Sequence, residues 1–419
     1  MKRILVISWF FPPINSSEGM LAWKLLSRSR FPCDVFTQER SDIWSYGLDE
    51  SVKGDKKLRR IPAESGELCE WVREACRYFT VHRAEYDLVM TRSMPPECHR
   101  VGLWIKRRYP EIKWIASFGD PIADNPYELL DGALLSPWSL QNPLNRGRRL
   151  LFRLSPLRFL RLALWDLRHA KAVLRRRELA FLQRETLKKA DRLIFNNLSQ
   201  QRYMTAGRFR KKSVLIRHCY ERGLIPPPPE RSDERLRFVF TGQLGTLRSP
   251  RPLLLALEQL KAEVPELAKI AEFCFFGEMA NADLAFILRQ DLQQLVRVCS
   301  PVSYRQSLDE MAAADWLIHI DANLNAVTEE NVFFAGKLAD YFGVGKPILA
   351  LTMPRGDAAD CLRRAGAVVC SFCVSEIAQA LYQIIVLGRS VEMDGAALRL
   401  FSSEKAAEEY DEKVVKPLL

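Results

Sequence analysis

Short, unbroken apolar runs alternate with helical stretches along nearly the whole chain, and this constrains the fold more than any other feature. The first half carries KRILVISWF, DVFTQ, YDLVMTRS, KWIASFGD and ADRLIFNNL, with helical patterns over about 18–29 and 97–108. The second half carries RFVFTGQLG, IAEFCFFGE, LVRVCSPV, DWLIHIDA, KPILAL and GAVVCSF, again interleaved with helices. Continuous rather than alternating apolar runs belong to strands covered on both faces. Strand–helix alternation of this kind gives a parallel, doubly wound α/β sheet. Between the halves lies RGLIPPPPERSDE, whose four consecutive prolines, Pro226 to Pro229, fit neither a helix nor a central strand. The expected organisation is a domain over 1–220, a linker over 221–235, a second domain over 236–400 and a closing helix over 401–419. A chain of 419 residues also exceeds what one hydrophobic core usually supports.

Composition excludes several classes. No apolar run approaches the ~20 residues of a membrane span. The start, MKRILVISWFFPP, is basic and then apolar like a signal peptide, but the run is short and two prolines end it. No small-residue cleavage site follows, so it reads as a first β-strand. Ten scattered cysteines in a chain this large indicate free thiols and a reducing, cytoplasmic setting. The CxxC from Cys370 to Cys373 has no second pair and no nearby histidine, which argues against zinc.

The net charge of +11 is local: between Arg146 and Lys189, fourteen basic residues face three acids. A helical reading of 157–174 puts Phe159, Leu160, Ala163, Leu164, Leu167, Ala170 and Leu174 on one face, with Arg158, Arg161, Arg168 and Trp165 beside it. Such a helix can lie on an anionic membrane surface, giving a peripheral seat on the inner face. A helix packed on its own domain with a solvated basic edge is the competing reading. Nucleic acid is not an expected partner, because zinc-finger spacing, aromatic ribonucleoprotein motifs and a second basic element are all missing from the sequence.

In open α/β sheets ligands bind outside the carboxyl ends of the strands. Two such domains joined by a linker imply a cleft between facing strand ends. On the N-terminal side these ends carry Pro12, Pro13, Gly19, Arg92, Ser93, Asp120, Asn196 and Asn197. On the C-terminal side they carry Gly242, Arg248, Gly277, Glu278, Ser303 and the segment NVFFAGKLADYFGVGKPILAL. FTGQLGTLRSPRP combines a glycine loop, Arg248 and a helix start near Pro250, a combination suited to phosphate; a surface arginine in a tight turn is the alternative. In the segment 331–351 a helix starting near Ala335 or Gly336 puts Lys337 in its first turn. The dipole disfavours a cation there unless an anion sits between it and the helix end. Asp340 falls on about the same face and could accept hydrogen bonds from vicinal hydroxyls. A diphosphate beside a ribose satisfies both, whereas an exposed Lys–Asp pair would contribute only a few tenths of a kcal/mol. TRSMPPECH brings Arg92 and His99 near a strand end, and SFGDPIADNPY does so for Asp120. His99 is either a proton shuttle or a helix cap, and Asp120 either touches substrate or shapes a turn before proline. GVGKP lacks the spacing of a P-loop and no GxGxxG follows a strand, which disfavours a dehydrogenase.

These motifs, in this order, resemble a retaining GT-B glycosyltransferase of the large family 4 (glycosyl transferases group 1) type. VFTGQLGTLRSPRPLLLALEQL resembles the family's domain-opening strand, basic loop and helix. VSYRQSLDEMAAADWLIHI is similar to the following helix–strand unit and FFAGKLADYFGVGKPILAL to the donor-binding helix. SWFFPPINSSEGM resembles the first strand and loop, and SEKAAEEYDEKVV the closing helix. The resemblance implies transfer from a nucleotide-diphosphate sugar without cofactor or metal, and the membrane reading of the basic helix points to a glycan or lipid-linked acceptor in cell-surface polysaccharide biosynthesis. It implies that Arg248 and Lys337 hold the diphosphate and Asp340 the ribose, and that Gly19 lets the first loop approach the phosphates; the strand-end reading adds Gly242 on the donor side and Arg92, His99 and Asp120 on the acceptor side. Two positions depart from the family pattern. Its paired glutamates fall on Val332 and Asp340, and its arginine before the diphosphate lysine falls on Gln243. A sugar-nucleotide epimerase or hydrolase of the same fold, or a non-catalytic nucleotide-sugar-binding protein, are the alternatives.

Overall fold

The computed structural model describes residues 3–14, 16–39, 57–135, 158–230, 233–245 and 247–419, with the side chains of 131–135 and 158–173 left out. Of the sequence-predicted basic segment 146–189, residues 146–157 lie outside the described residues, and so do the side chains of 158–173, which carry most of the apolar face assigned to 157–174. Among the described residues no helix is long and apolar enough to cross a membrane.

Two parallel sheets form the molecule. The first has the order β3-β2-β1-β4-β5-β6-β7, built from β1 (Arg3–Ile7), β2 (Cys33–Thr37), β3 (Leu58–Pro62), β4 (Tyr86–Arg92), β5 (Lys113–Phe118), β6 (Arg192–Phe195) and β7 (Ser213–Leu215). The second has the order β10-β9-β8-β11-β12-β13, from β8 (Leu236–Thr241), β9 (Ala271–Phe276), β10 (Val296–Cys299), β11 (Trp316–Ile320), β12 (Ile348–Leu351) and β13 (Val368–Cys370). Each sheet is covered by helices on both faces, so central strands such as AEFCFF (β9) and WLIHI (β11) are buried at every position. The sequence reading takes the start of the chain as a strand, and it is β1, inside the first sheet between β2 and β4.

Two strands have no counterpart in the sequence reading, and both are edges of the first sheet. β3 reads LRRIP and β7 reads SVL, and neither contains a fully buried residue. An edge strand needs no continuous apolar run, because one flank meets solvent. Charge holds β3 in place: Arg59 donates to buried Asp34 at 2.6 Å, and Tyr86 OH donates to the same carboxylate at 2.9 Å.

The final helix, Ser403–Tyr410, returns to the first sheet. Ala406, Ala407 and Tyr410, with Val414 and Val415 beyond them, share a core with Ile4, Val6 and Met90. Ser29 Oγ donates to Asp411 at 2.6 Å to fix its end. The chain therefore crosses between lobes twice, and the crossings are tied together. Tyr220 N–H donates to Phe401 O at 2.8 Å, and Ser403 N–H to Tyr220 O at 2.9 Å. Elsewhere the lobes meet where Arg217 pairs with Asp357 at 2.7 Å and where the rings of Tyr127 and Phe333 lie 4.2 Å apart. The strand ends of both sheets face each other across the space these contacts enclose.

Candidate functional site

A cleft of about 480 Å³ separates the lobes, lined from both sides by residues at strand ends. On its C-terminal wall, β8 ends in Thr241–Gly242, and the helix Gly336–Val344 points its N-terminus at the cleft with no side chain capping it. The first amides of such a helix have no intrahelical acceptors and carry partial positive charge. Lys337 bends back across the end of β8. Its Nζ donates to Thr241 O at 2.6 Å and stands 3.9 Å from the Phe240 ring centroid. Gly242 makes this path possible: a Cβ there would lie 2.6 Å from Lys337 Nζ, and its φ of +115° suits glycine alone. Gly277, at the end of β9, is fixed in the same way, because its Cβ would meet Gly242 O at 2.0 Å.

Arg248 completes the wall, with one terminal nitrogen 3.4 Å from Tyr127 OH and a buried Nε that has no hydrogen-bond partner among the described residues. Neither Lys337 nor Arg248 has an ion-pair partner among the described residues. Burial, together with the Arg248 charge, pulls the Lys337 ammonium well below the ordinary lysine value, and Asp321 only partly opposes this. Two basic side chains and an uncapped helix end thus converge with no ion-pair partner among the described residues, and Asp321 and Asp120 act on them from beyond ion-pair distance. Such a place is suited to a diphosphate.

One turn on from Lys337, Asp340 lines the same wall. Its Oδ1 accepts from Lys24 Nζ of the opposite lobe at 2.5 Å and from Tyr304 OH at 3.0 Å. The loop leading into this helix is anchored by Asp321, which accepts from Asn331 Nδ2 at 2.9 Å and Thr352 Oγ1 at 2.7 Å. That anchor places Phe333, Phe334 and Ala335 on the cleft surface. Val332 is 2% exposed and packs with Leu130, Leu324 and Met353, while its carbonyl accepts from Asn197 Nδ2 at 3.1 Å. The position therefore serves the junction between lobes. Gln243 is exposed on the cleft wall.

The N-terminal wall is acidic. Asp120 follows β5, on a loop whose Gly119 N–H donates to Ser93 Oγ at 2.8 Å and whose Gly119 carbonyl accepts from Gln200 at 2.9 Å. Burial first, then the neighbouring Glu18 carboxylate, push the Asp120 carboxyl up to about 7, against the pull of Arg248. Glu18 sits against the Gly119 backbone, and burial raises its carboxyl also. Arg92 lies 3.5 Å from Glu18 Oε2 in a loose pair. His218 lines the cleft beside them, and burial, with the charges of Arg92 and Lys24, pushes its imidazole down to about 3. It stands neutral at physiological pH.

Of the sequence-predicted site residues, the structure brings Gly242, Arg248, Lys337, Asp340 and Asp120 to this one cleft, with Gly277 and Glu278 beside them. Three others are corrected. His99 is 0% exposed between Trp114 and Phe118, its Nδ1 2.7 Å from Thr91 Oγ1, and burial pushes it down to about 3. It neither reaches the cleft nor caps a helix. Arg92 faces a second cavity of about 30 Å³ behind the cleft wall and steadies Glu18 rather than facing a ligand directly. Gly19 lies inside the helix Ser17–Arg28, where a Cβ would come within 3.2 Å of the Phe11 backbone; its smallness serves helix–loop packing. Ser303 caps the helix Tyr304–Ala312 through a capping box. Sequence reasoning did not single out Glu18, Lys24, Tyr127, His218 or Tyr304, all of which line the cleft.

No family model matches the chain, and no curated protein matches it. Solved structures do. A trehalose-6-phosphate synthase, OtsA, superposes with a TM-score of 0.62 at 10% identity, covering 99% of each chain. WaaG, a glycosyltransferase involved in lipopolysaccharide biosynthesis, gives 0.57 at 15% identity over 99% of this chain and 97% of its own. A UDP-N-acetylglucosamine 2-epimerase gives 0.55 at 11% identity over 99% and 96%. At these identities the likeness is one of architecture, and it is complete in both lobes: the chain has the GT-B fold, two Rossmann-like domains facing a central cleft.

Proposed function

We propose that the chain is a glycosyltransferase that moves a sugar from a nucleotide-diphosphate sugar to a hydroxyl of a glycan or lipid-linked acceptor. One observation carries this reading. Arg248 and Lys337 meet the uncapped start of the helix Gly336–Val344 in the interlobe cleft, neither with an ion-pair partner among the described residues. In this reading they hold the diphosphate, and Asp340 receives the ribose. The C1–phosphate bond breaks with its electron pair passing to the diphosphate, whose growing charge the two cations and the helix end stabilise. The acceptor oxygen forms the new bond to C1, and its proton passes to the departing phosphate oxygen. Attack and departure on one face give retention, as in the family 4 type that the motifs resemble. No cofactor and no metal enter these steps. The test is to incubate the purified protein with a panel of nucleotide sugars and follow release of the nucleoside diphosphate. Turnover of one donor supports the reading; no turnover of any donor, with or without glycan acceptors, contradicts it and favours a binding protein.

A second reading, epimerisation or hydrolysis of the donor, is favoured by the carboxylates Glu18 and Asp120 facing the donor wall. Product analysis separates the two, since only transfer requires an acceptor.

Asp120 is placed to accept hydrogen bonds from a sugar hydroxyl, and it carries a pH signature. Its carboxyl stands at about 7 against an ordinary 3.8. Between those values the folded protein holds a proton that the unfolded chain has released, so this group's contribution to stability falls as pH rises through the window. Asp120→Asn is expected to raise the melting temperature relative to wild type at pH 8, to leave it unchanged at pH 4, and to slow turnover. A melting difference equal at both pH values would contradict the assignment.

The acceptor class rests on the long helix Arg158–Lys189. In its described part Leu174 is 63% and Phe181 46% exposed, with exposed Arg177, Arg184 and Lys188 at helical spacing between and after them. Neighbouring Arg175 and Arg176 are tied down by Glu97 at 2.5 Å and by Asp124 at 2.5 Å. An apolar-basic stripe of this kind fits the anionic cytoplasmic face of a membrane and a lipid-linked acceptor in cell-surface polysaccharide synthesis. The protein is expected to co-sediment with anionic but not neutral vesicles, and Arg177→Glu with Phe181→Asp to weaken this. Equal binding to both vesicle types would contradict it.

A further inference from the structure

Lys24 lies in the middle of the helix Ser17–Arg28, yet it is 1% exposed and its ammonium crosses the cleft to the other lobe. Nζ donates to Asp340 Oδ1 at 2.5 Å, and Tyr304 OH donates to the same oxygen at 3.0 Å. Burial works against the lysine charge, but Asp340 and then Tyr304 outweigh it and hold the ammonium above its ordinary value. Lys24, Tyr304 and Asp340 all line the cleft.

The hydrogen bonds are lopsided. Both fall on Oδ1, so Asp340 Oδ2 has no partner among the described residues. An ammonium has three N–H donors; Lys24 gives one to Asp340 and engages the Tyr304 side chain with another, its Nζ 5.2 Å from that ring's centroid, which leaves one. The cleft wall therefore presents an open carboxylate oxygen next to an ammonium with a donor to spare. Burying an ion pair is costly, and a Met–Leu pair of similar volume would hold the lobes together at least as well. Charge retained at this spot points to a ligand with a donor and an acceptor on neighbouring atoms. A vicinal diol is such a group: one hydroxyl gives its proton to Oδ2 while its neighbour accepts from Nζ. The position agrees, because Asp340 stands three residues after Lys337 on one helix face, beside the diphosphate wall.

We infer that Lys24 and Asp340 together recognise the 2′- and 3′-hydroxyls of the donor ribose, so that the nucleotide is read by both lobes at once and distinguished from its 2′-deoxy form. This rests on the donor-site reading above and adds to it a specificity residue from the lobe that otherwise faces the acceptor. It also gives the nucleotide a hold on the relative position of the lobes, since its ribose bridges them.

The experiment is calorimetric titration with ADP, GDP and UDP and their 2′-deoxy counterparts, on wild type and on Lys24→Met. These probes carry no transferred sugar, so a diol on that sugar cannot contribute. On wild type, the diphosphate that binds is expected to do so about 10- to 100-fold more tightly in its ribo form, the range for one hydrogen bond to a charged group. On Lys24→Met the ratio is expected to fall close to one, with the ribo form losing affinity. Ribo and deoxy forms binding wild type equally would overturn the inference and leave the donor site standing. So would a ratio that survives in Lys24→Met. Binding of none of the six would overturn the donor site itself. The wild-type ratio needs no variant, so poor folding of Lys24→Met leaves the test decisive.

Discussion

Lys337→Ala slows donor turnover by about 10²- to 10³-fold if the cleft works as proposed, the loss typical of removing one preorganised donor from a developing oxyanion. The side chain does nothing for the hydrophobic core. Among the described residues its Nζ has one acceptor, Thr241 O at 2.6 Å, and it sits over Phe240 within reach of the Arg248 charge. Removing it relieves a strained burial of charge, so stability should stay level or rise while turnover collapses. Residues that bind substrate and transition state equally change KM alone, and this one should lower kcat as well. A variant with unchanged kcat and kcat/KM would place the chemistry elsewhere.

Asp340→Ala is expected to act in the opposite manner, on the fold first. It strands the Lys24 ammonium in a wall where that residue is 1% exposed, and leaves Tyr304 OH without its acceptor. Breaking a buried pair by removing one partner typically costs about 3–5 kcal/mol, a large part of the ~5–15 kcal/mol that stabilises a domain. Urea denaturation measures it. The paired change Lys24→Met with Asp340→Leu should restore most of that stability, and bind ribo and deoxy nucleotides alike, more weakly than wild type binds the ribo form. If Asp340→Ala unfolds at the same urea concentration as wild type, the cross-lobe pair contributes little and the ammonium has another partner.

The two sheets were legible because parallel strands covered on both faces must be continuously apolar, and such runs stand out at β1, β4, β5, β8, β9 and β11. β3 and β7 were not, because an edge strand can be built from arginine, serine or proline. The site was half legible. Lys337 announced itself by being a cation in the first turn of a helix, which is a local feature of sequence. Lys24 did not, because a lysine in an amphipathic helix reads as a solvated residue and its partner is 316 positions away. Glu18 was hidden for the same reason: an acid in the first turn of a helix is normal there, and only the approach of Gly119 shows that it joins Asp120. His99 misled because a histidine near a strand end is chemically attractive, and nothing local shows that Trp114 and Phe118 close over it. Val332, which the resemblance sets against an acid, packs with Leu130, Leu324 and Met353 and seals the junction between lobes.

The measurement that bears most directly on the donor site is thermal unfolding of wild type, Lys337→Ala and Arg248→Ala with nucleoside diphosphates and without them. At a hundredfold excess over Kd, a ligand that binds only the folded state stabilises it by about 2.7 kcal/mol. At least one nucleoside diphosphate is expected to raise the melting temperature of wild type and to leave both variants where they were. Equal shifts in all three proteins, or no shift in wild type with any base, would contradict that expectation.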